Sequence, residues 1–235
     1  MFRTAIVLML LLLFAPTVSY SATVIRSPTA VIQNTAGDFG PLNIIEKTID
    51  QSGLIAGFTS GGSDFDTYIN SNPTHRVDFD TEWDAPKGVL TSTIDYDLGA
   101  EYSITRLALW NEDKGGGIVS MTVHTSIDAS FLTSENVGSF APLDNAPDQN
   151  YPAEVFTLAS TSARYVRLDV TGDPVGVGDF DLTMGEIAFE TSAPTSPPPT
   201  GDIPEPTSFL VFAAFGIGLF VARRRARQRE LIATC

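Results

Sequence analysis

Alternation of apolar and polar residues is the dominant pattern in the middle of the chain. It runs through residues 93–98, 119–125 and 163–170, where roughly every second side chain is apolar. Because successive side chains of a β-strand point to opposite faces, this pattern predicts strands with one buried and one solvated face. The residues predicted to point inward are Ile94, Tyr96, Leu98, Val119, Met121, Val123, Val166, Leu168 and Val170.

A second kind of strand is predicted at residues 104–110, which are apolar almost without interruption. Such a run is typical of a central strand that is covered on both faces. Clusters of glycine and proline separate the strand-like segments, and the sequence shows no long amphipathic helix between them. We therefore predict a single all-β domain over residues 22–190, folded as a β-sandwich with jelly-roll or Greek-key connections.

Both ends of the chain carry a continuous apolar run outside the predicted domain. Residues 1–21 have an early arginine, an apolar segment and small residues at 19–21, the layout of a secretory signal peptide, with an uncleaved anchor as the alternative. Residues 209–222 are apolar and are followed by arginines, which predicts a short membrane helix whose end stays in the cytoplasm. Residues 191–203 are rich in proline, threonine and serine and are predicted to form an extended linker.

The order of features in residues 204–235 resembles the PEP-CTERM sorting signal of Gram-negative bacteria. A Pro-Glu-Pro motif, a short apolar helix and an arginine cluster follow one another at the end of the chain. The resemblance implies export with signal-peptidase cleavage, transient anchoring in the inner membrane, and processing by an exosortase for release to the cell surface or the extracellular matrix of a biofilm. A plain C-terminal membrane anchor is the alternative. The motif residues are Pro204, Glu205, Pro206, Arg223, Arg224 and Arg225.

Four segments of the predicted domain together resemble the strand series of discoidin-like domains, the coagulation-factor C-type or galactose-binding-like jelly roll. They are residues 94–100, 102–110, 163–170 and 185–189. The resemblance covers most of residues 44–190 and implies a discoidin-like jelly-roll β-sandwich. Residues 57–83 form a longer segment than the family has between its first conserved turn and the following tryptophan, so the ligand loops of the family are not carried over there.

Net charge and cysteine content narrow the classes of function. The chain of 235 residues has a formal net charge of −14, and five of its basic residues follow residue 222, so the predicted domain is more acidic still. Because affinity for phosphate requires clustered lysine and arginine, this balance excludes a nucleic-acid binder of the usual basic kind. The single cysteine, Cys235, cannot form an intrachain disulfide.

The sequence offers little for catalysis. Its two histidines, His75 and His124, are not accompanied by a Gly-x-Ser-x-Gly nucleophile motif, and no phosphate-binding or dinucleotide-binding loop is present. Glu112 and Asp113 are the best carboxylate pair for a glycosidase, but nothing in the sequence marks either for a raised pKa. We therefore expect a protein that is not an enzyme.

Calcium is the one cofactor that the sequence favours. Residues 78–84 alternate acidic and other residues but lack the glycine and glutamate of an EF-hand, so they are predicted to be a strand with Val77 and Phe79 packed against solvated acids. The discoidin resemblance implies one structural calcium between an early loop and a glutamate on the last strand. The alternative is that these acids are simply solvated. The candidate ligands are Asp50, Asp64, Asp66, Thr67 and Glu186.

Aromatic and polar residues near loops are candidates for contact with sugars. Trp110 and Tyr96 lie on predicted strands and are expected to pack in the core.

The function predicted from the sequence is that of an exported, non-catalytic protein that associates with extracellular polysaccharide in a biofilm matrix. A structural or adhesion protein without glycan specificity and a secreted hydrolase are the alternatives. The candidate ligand-binding residues are Tyr68, His75, Arg76 and Trp83.

Overall fold

The computed structural model describes residues 23–112, 116–143, 145–146, 149–173 and 182–193. These residues are mostly in β-strands, with a short helix, α1 (Phe65–Asn70), and a 3₁₀ helix at Ile45–Thr48. The strands are β1 (Val24–Arg26), β2 (Ala30–Asn34), β3 (Thr74–His75), β4 (Trp83–Asp84), β5 (Thr91–Trp110), β6 (Ile118–Ser126), β7 (Glu135–Phe140), β8 (Tyr151–Pro152), β9 (Glu154–Gly172), β10 (Thr183–Met184) and β11 (Glu186–Ser192).

The strands form two layers because β5 and β9 are long enough to take part in both. The N-terminal half of β5 pairs with β2 and with the C-terminal half of β9, and β6 and β7 extend this five-stranded layer. The C-terminal half of β5 pairs with β11 and with the N-terminal half of β9, and β1 completes a four-stranded layer. All these pairings are antiparallel, which confirms the predicted all-β class and is consistent with a jelly-roll β-sandwich.

The bend of β5 joins two segments that the sequence presents as separate strands. Its register with β9 shifts between Asp97 and Tyr102, and Gly99 lies between them with a φ of +85°. A positive φ is strained for residues with a side chain, so glycine is required at this point. Residues 93–98 therefore reach one layer of the sandwich and residues 104–110 reach the other.

The core between the layers contains the side chains that the alternation pattern identifies. Val119 is the exception: it is exposed, which corrects the prediction that it points inward. The register of β6 with β9 shifts between Ile118 and Ser120, so Ile118 takes the buried position instead. The confirmed inward residues are Ile94, Tyr96, Leu98, Met121, Val123, Val166, Leu168 and Val170.

The outer face of the four-stranded layer is also buried, as the apolar run at residues 104–110 predicts. The long segment at residues 51–77 lies over this face and carries α1. Trp110 packs there, and its indole N–H donates to the carbonyl of Pro73 at 3.1 Å, which satisfies the buried donor. The second apolar cluster consists of Ile25, Leu54, Phe65, Ala108, Trp110, Tyr151 and Ala188.

The prediction that residues 78–84 form one strand with solvated acids is wrong for most of the strand and for half of the acids, since Asp78 and Asp80 are exposed whereas Glu82 and Asp84 are buried. The main-chain N–H of Thr81 donates to the carbonyl of Asp78, which makes a turn, and only β4 at Trp83–Asp84 is extended. Asp84 is buried while Phe79 is exposed, the reverse of the expected arrangement. Alternation over a few residues cannot distinguish a strand from a turn that packs both kinds of side chain.

The predicted signal peptide at residues 1–21 and sorting signal at residues 204–235 lie outside the described residues. Within the described part of the chain, no helix has the length and apolar character needed to cross a membrane. The described strands end at Ser192, two residues beyond the predicted domain boundary at residue 190.

Candidate functional site

His75 and Trp83, two of the predicted sugar contacts, are completely buried. His75 lies on β3, opposite Tyr151 on β8, and their rings stack with centroids 5.2 Å apart. The hydroxyl of Tyr151 is 3.0 Å from His75 Nδ1 and donates to Glu82 Oε1 at 2.6 Å. Neither His75 nor Trp83 can meet a ligand from solvent in this arrangement.

The packing around His75 leaves its ring neutral. A Cβ on Gly53 would collide with His75 Nε2, and one on Gly185 would lie 2.5 Å from the hydroxyl of Tyr151, so two glycines make room for this network. Burial lowers the pKa of His75 to about 4, although its Nδ1 contacts the carbonyl of Arg76 at 2.7 Å. A neutral imidazole in a closed pocket suits a structural role.

The other two predicted sugar contacts lie on the covering segment. Tyr68, on α1, is partly buried: its ring packs near Phe58 and Trp110, and its hydroxyl donates to the carbonyl of Ala56 at 2.5 Å. Arg76 is exposed, and its main-chain N–H donates to the carbonyl of Gly53. The two side chains are not brought together with His75 or Trp83 into one surface.

Three of the predicted calcium ligands have local partners at α1. Asp64 caps the helix by accepting the N–H of Thr67 at 2.8 Å, and this contact lowers the pKa of Asp64. Asp66 accepts from Arg106 at 2.7 Å, and Arg106 also binds Glu190 on β11 at 2.7 Å. One oxygen of each of these carboxylates thus accepts a hydrogen bond from a protein donor.

Glu186 and Asp50 are the two remaining candidate calcium ligands, and Glu186 differs from the others in its burial. It is completely buried at the start of β11, and its Oε2 accepts the main-chain N–H of Gln51 at 2.8 Å. Its Oε1 has no hydrogen-bond partner among the described residues, and burial raises the pKa of Glu186 well above its usual value. Asp50, next to Gln51, is exposed. The described residues contain no cluster of three or more His, Cys, Asp or Glu side chains that could hold a metal ion.

A pair of exposed aromatic rings, which the sequence analysis did not single out, lies at one end of the sandwich. Phe39 and Phe79 are 44% and 52% exposed, with ring centroids 6.1 Å apart and planes at 80°. We call these two residues the aromatic platform. The edge-to-face arrangement is the favourable one for two aromatic rings.

Buried hydrogen bonds hold the two loops that carry the aromatic platform. Asn43 donates to the carboxylate of Asp84 at 2.6 Å and also to the carbonyl of Phe79. The N–H of Phe39 donates to the carbonyl of Asp84 at 2.8 Å, and the indole of Trp83 donates to the carbonyl of Gly37 at 3.2 Å. Burial raises the pKa of Asp84 to about 7. The platform is therefore a fixed surface rather than two independent side chains.

The acidic pair proposed for a hydrolase is incomplete in what can be described. Glu112 accepts a hydrogen bond from Thr183, the residue that pairs with Asp84 across β10 and β4. Asp113 lies outside the described residues.

The sequence signal that could have revealed the aromatic platform is Phe39 itself, an aromatic residue within a Gly-Asp-Phe-Gly-Pro loop where core packing is not expected.

No family model matches the sequence, and no curated protein matches it. Among solved structures, the chain is similar to the C-terminal domain of a chitobiase from Bacteroides fragilis, with 18% identity, 72% of this chain and 98% of that chain covered, and a TM-score of 0.48. It is also similar to CBM32-3 of a family 31 glycoside hydrolase from Clostridium perfringens, with 12% identity, 73% and 96% coverage, and a TM-score of 0.48.

A third similar structure is chitosan-binding module 1 of a chitosanase/glucanase from Paenibacillus sp. IK-5. Its identity is 16%, 73% of this chain and 98% of that chain are covered, and the TM-score is 0.43. The structural neighbours are thus CBM32 and discoidin-like carbohydrate-binding modules. With identities and TM-scores this low, the function has to be argued from the residues of the chain itself.

Proposed function

We propose that this chain is an exported, non-catalytic module that binds extracellular polysaccharide through the aromatic platform. The observation that supports it is the exposed pair Phe39 and Phe79, held edge to face by the hydrogen bonds of Asn43 and Asp84. An exposed aromatic pair on rigid loops offers an apolar surface on which a partner of matching shape can pack.

The face of a sugar ring is such a partner. Its C–H groups pack against an aromatic ring, which releases water from both surfaces, while its hydroxyls stay in solvent or bind nearby polar groups. Because the loops of Phe39 and Phe79 are already fixed by hydrogen bonds, little conformational entropy is lost when a ligand binds.

The charge of the chain limits the choice of polysaccharide. A net charge of −14 repels polyanionic glycans unless cations lie between the two. We therefore propose a neutral or amino-sugar polymer as the ligand.

The proposed route to that polymer is export and surface sorting into a biofilm matrix. Its support is the sequence of the two ends, the signal-peptide layout of residues 1–21 and the motif Pro204, Glu205 and Pro206. The intact mass of the surface-released protein should correspond to a chain from about Ala22 to about Pro206. Retention of the arginine cluster after residue 222 in that mass would contradict sorting.

We also propose one structural calcium ion at Glu186. Its support is the buried Oε1 without a partner among the described residues, together with Asp50 next to the turn that already binds Oε2. An ion there would be held by Glu186 and Asp50 with main-chain carbonyl oxygens, which suits the preference of calcium for oxygen. Of the other candidate ligands, Asp50 is the one whose charge acts on Glu186, and its Oδ1 also accepts the N–H of Ser52 at 2.8 Å. Asp64 and Asp66 each accept a hydrogen bond at α1, from Thr67 and Arg106.

Retention on immobilised polysaccharides tests the binding function with the full chain. Wild type should bind at least one neutral or amino-sugar polymer. The double variant Phe39→Ala, Phe79→Ala should bind the same polymer at least about tenfold more weakly. Ile32→Ala is the matched control, since Ile32 is similarly exposed at 45% but lies on β2, away from the platform loops. Equal binding by wild type and the double variant would contradict the platform. Binding to no glycan would favour the structural or adhesion alternative.

A further inference from the structure

A cleft of about 630 Å³ opens at the tip of the β6–β7 hairpin, where the hairpin meets the bend of β9. The register between β5 and β9 shifts near Thr161, so β9 departs from its neighbour at this point and leaves space. The volume is in the range of small-molecule binding sites. The residues of the cleft that matter here are Thr125, Ile127, Leu132, Glu135, Thr161 and Ser162.

The cleft and the aromatic platform lie at opposite ends of the five-stranded layer. Ala30, Asp97, Tyr165 and Ser126 are aligned in one row across this layer, and Ser126 borders the cleft. The platform loop instead follows Asn34, the other end of β2. A ligand in the cleft would therefore be separate from a ligand on the platform.

Thr125 places an unpartnered polar group beside the cleft. The residue borders the cleft but is only 2% exposed, and its buried Oγ1 has no hydrogen-bond partner among the described residues. A buried hydroxyl without a partner lowers stability, so such groups are uncommon in the absence of a bound molecule. A ligand hydroxyl that displaced the side chains over Oγ1 would complete this hydrogen bond.

The two walls of the cleft differ in character. Ile127 and Leu132 are exposed on the hairpin, and Leu132 has 87% of its surface in solvent. On the other wall, Thr161 donates to the carboxylate of Glu135 at 3.4 Å, and Ser162 adds another hydroxyl. No lysine or arginine is among the described residues that line the cleft, so it has no attraction for an anion.

We propose that the cleft is a second glycan site, which takes one to two neutral sugar units with their C–H face on Ile127 and Leu132 and their hydroxyls toward Thr125 and Glu135. The ligand class rests on the proposed function, whereas the site itself is separate from the platform. Two sites at opposite ends would let one molecule connect two polysaccharide strands, and the second contact would strengthen attachment without any increase in either affinity.

Nuclear magnetic resonance on the isotopically labelled full chain can observe the two sites separately. The probes are maltotriose, cellotriose and N-acetylchitotriose at millimolar concentration, with a zwitterionic detergent so that no sugar headgroup competes. Binding in the cleft should shift the backbone amide signals of Leu132 and Glu135 saturably with at least one trisaccharide. This shift should persist in the Phe39→Ala, Phe79→Ala variant. If no trisaccharide shifts the cleft signals, the second site is overturned, whatever happens at the platform.

Thr125→Val tests the buried hydroxyl, since valine keeps the shape and removes only the Oγ1 group. The variant should weaken cleft binding about fivefold, the effect of one neutral hydrogen bond, and should raise the melting temperature. Thr122→Val is the control: Thr122 lies on the same strand but its hydroxyl contacts Ser139 outside the cleft. A higher melting temperature with unchanged cleft binding would overturn the role of Thr125.

Leu132→Ala provides a second variant whose folding is not in question, because Leu132 is the most exposed of the large apolar residues described. It should weaken binding in the cleft and leave the platform signals unchanged. Failure of the proposed function has a different signature, since the amide signals of Phe39 and Phe79 would then not respond to any glycan. Unchanged cleft affinity in Leu132→Ala would contradict the proposed apolar contact.

Discussion

Two buried regions contain titratable residues of the segment from residue 51 to residue 84, and burial shifts the pKa values of these residues in opposite directions. Under the covered outer face of the four-stranded layer, burial lowers the pKa of His75 to about 4, so this base loses its proton. Beneath the aromatic platform, burial raises the pKa of Asp84 to about 7, so this acid keeps its proton. In both regions the interior selects the neutral form, which is oriented by a hydrogen bond between Tyr151 and His75 in one region and by a hydrogen bond that Asn43 donates to Asp84 in the other.

The difference indicates which region limits stability at each pH. As the pH falls, the covered face must accept a charge on His75, whereas as the pH rises toward about 7 the loops of the platform must accept a charge on Asp84. The proposed binding surface is therefore the region that loses stability as the pH rises from about 4 to about 7. The covered face is sensitive to acid and has a structural task.

The largest expected effect comes from removing the charge at Asp84. Its pKa of about 7 in the folded state exceeds the ordinary value of 3.8, so the folded protein binds the proton more tightly, and stability is lost as the pH rises from about 4 to about 7. A shift of this size is worth about 4 kcal/mol. Asp84→Asn keeps an oxygen for Asn43, so above pH 7 it should exceed wild type in free energy of unfolding by an amount approaching this. Urea denaturation across this pH range measures the difference, and parallel profiles would contradict it.

His75 should give the opposite dependence. Its pKa of about 4 lies below the ordinary value of 6.5, so its contribution to stability is present above pH 6.5 and is lost as the pH falls toward 4. The expected loss is about 3 kcal/mol relative to His75→Gln, whose side chain stays neutral. The same denaturation series measures it, and a constant difference between the two proteins would show that His75 does not become charged on unfolding.

Much of the architecture can be predicted from the sequence because burial on a sheet leaves a periodic signal. Alternation at Ile94 and Leu98 predicts a half-buried layer, and the unbroken apolar run that ends at Trp110 predicts a layer covered on both faces. The prediction that Val119 points inward was wrong because a register shift next to it changes the face on which its side chain lies. A bulge of one residue leaves no clear trace in the pattern of apolar and polar residues.

The candidate site was harder to predict because its residues meet only through tertiary packing. Phe39 and Phe79 are 40 residues apart, and each reads as an ordinary apolar residue in a polar loop. Their exposure depends on Asn43 and Asp84, whose contact also joins distant parts of the chain. For the same reason, residues chosen for their position near loops, His75 and Trp83, proved to be buried.

Glu186 extends the comparison, since it lies in the covered region with His75 but burial raises its pKa, as it does for Asp84. A calcium ion would use Oε1, the oxygen without a partner among the described residues. At a calcium concentration of 100 times the dissociation constant, binding to the folded state alone adds about 2.7 kcal/mol, or several degrees in melting temperature. Chelation should therefore lower the melting temperature of wild type by several degrees and leave Glu186→Gln unchanged.

Glu190→Gln is the matched control for this last effect, because Glu190 lies on the same strand but its carboxylate binds Arg106 at 2.7 Å. It should melt at a lower temperature than wild type and still respond to calcium by the same number of degrees. Differential scanning calorimetry of wild type, Glu186→Gln and Glu190→Gln, in calcium and in chelator, distinguishes an acid that binds calcium from an acid that pairs with Arg106. If wild type melts identically in both solutions, Glu186 needs no ion, and the covered face is stabilised by packing and hydrogen bonds alone.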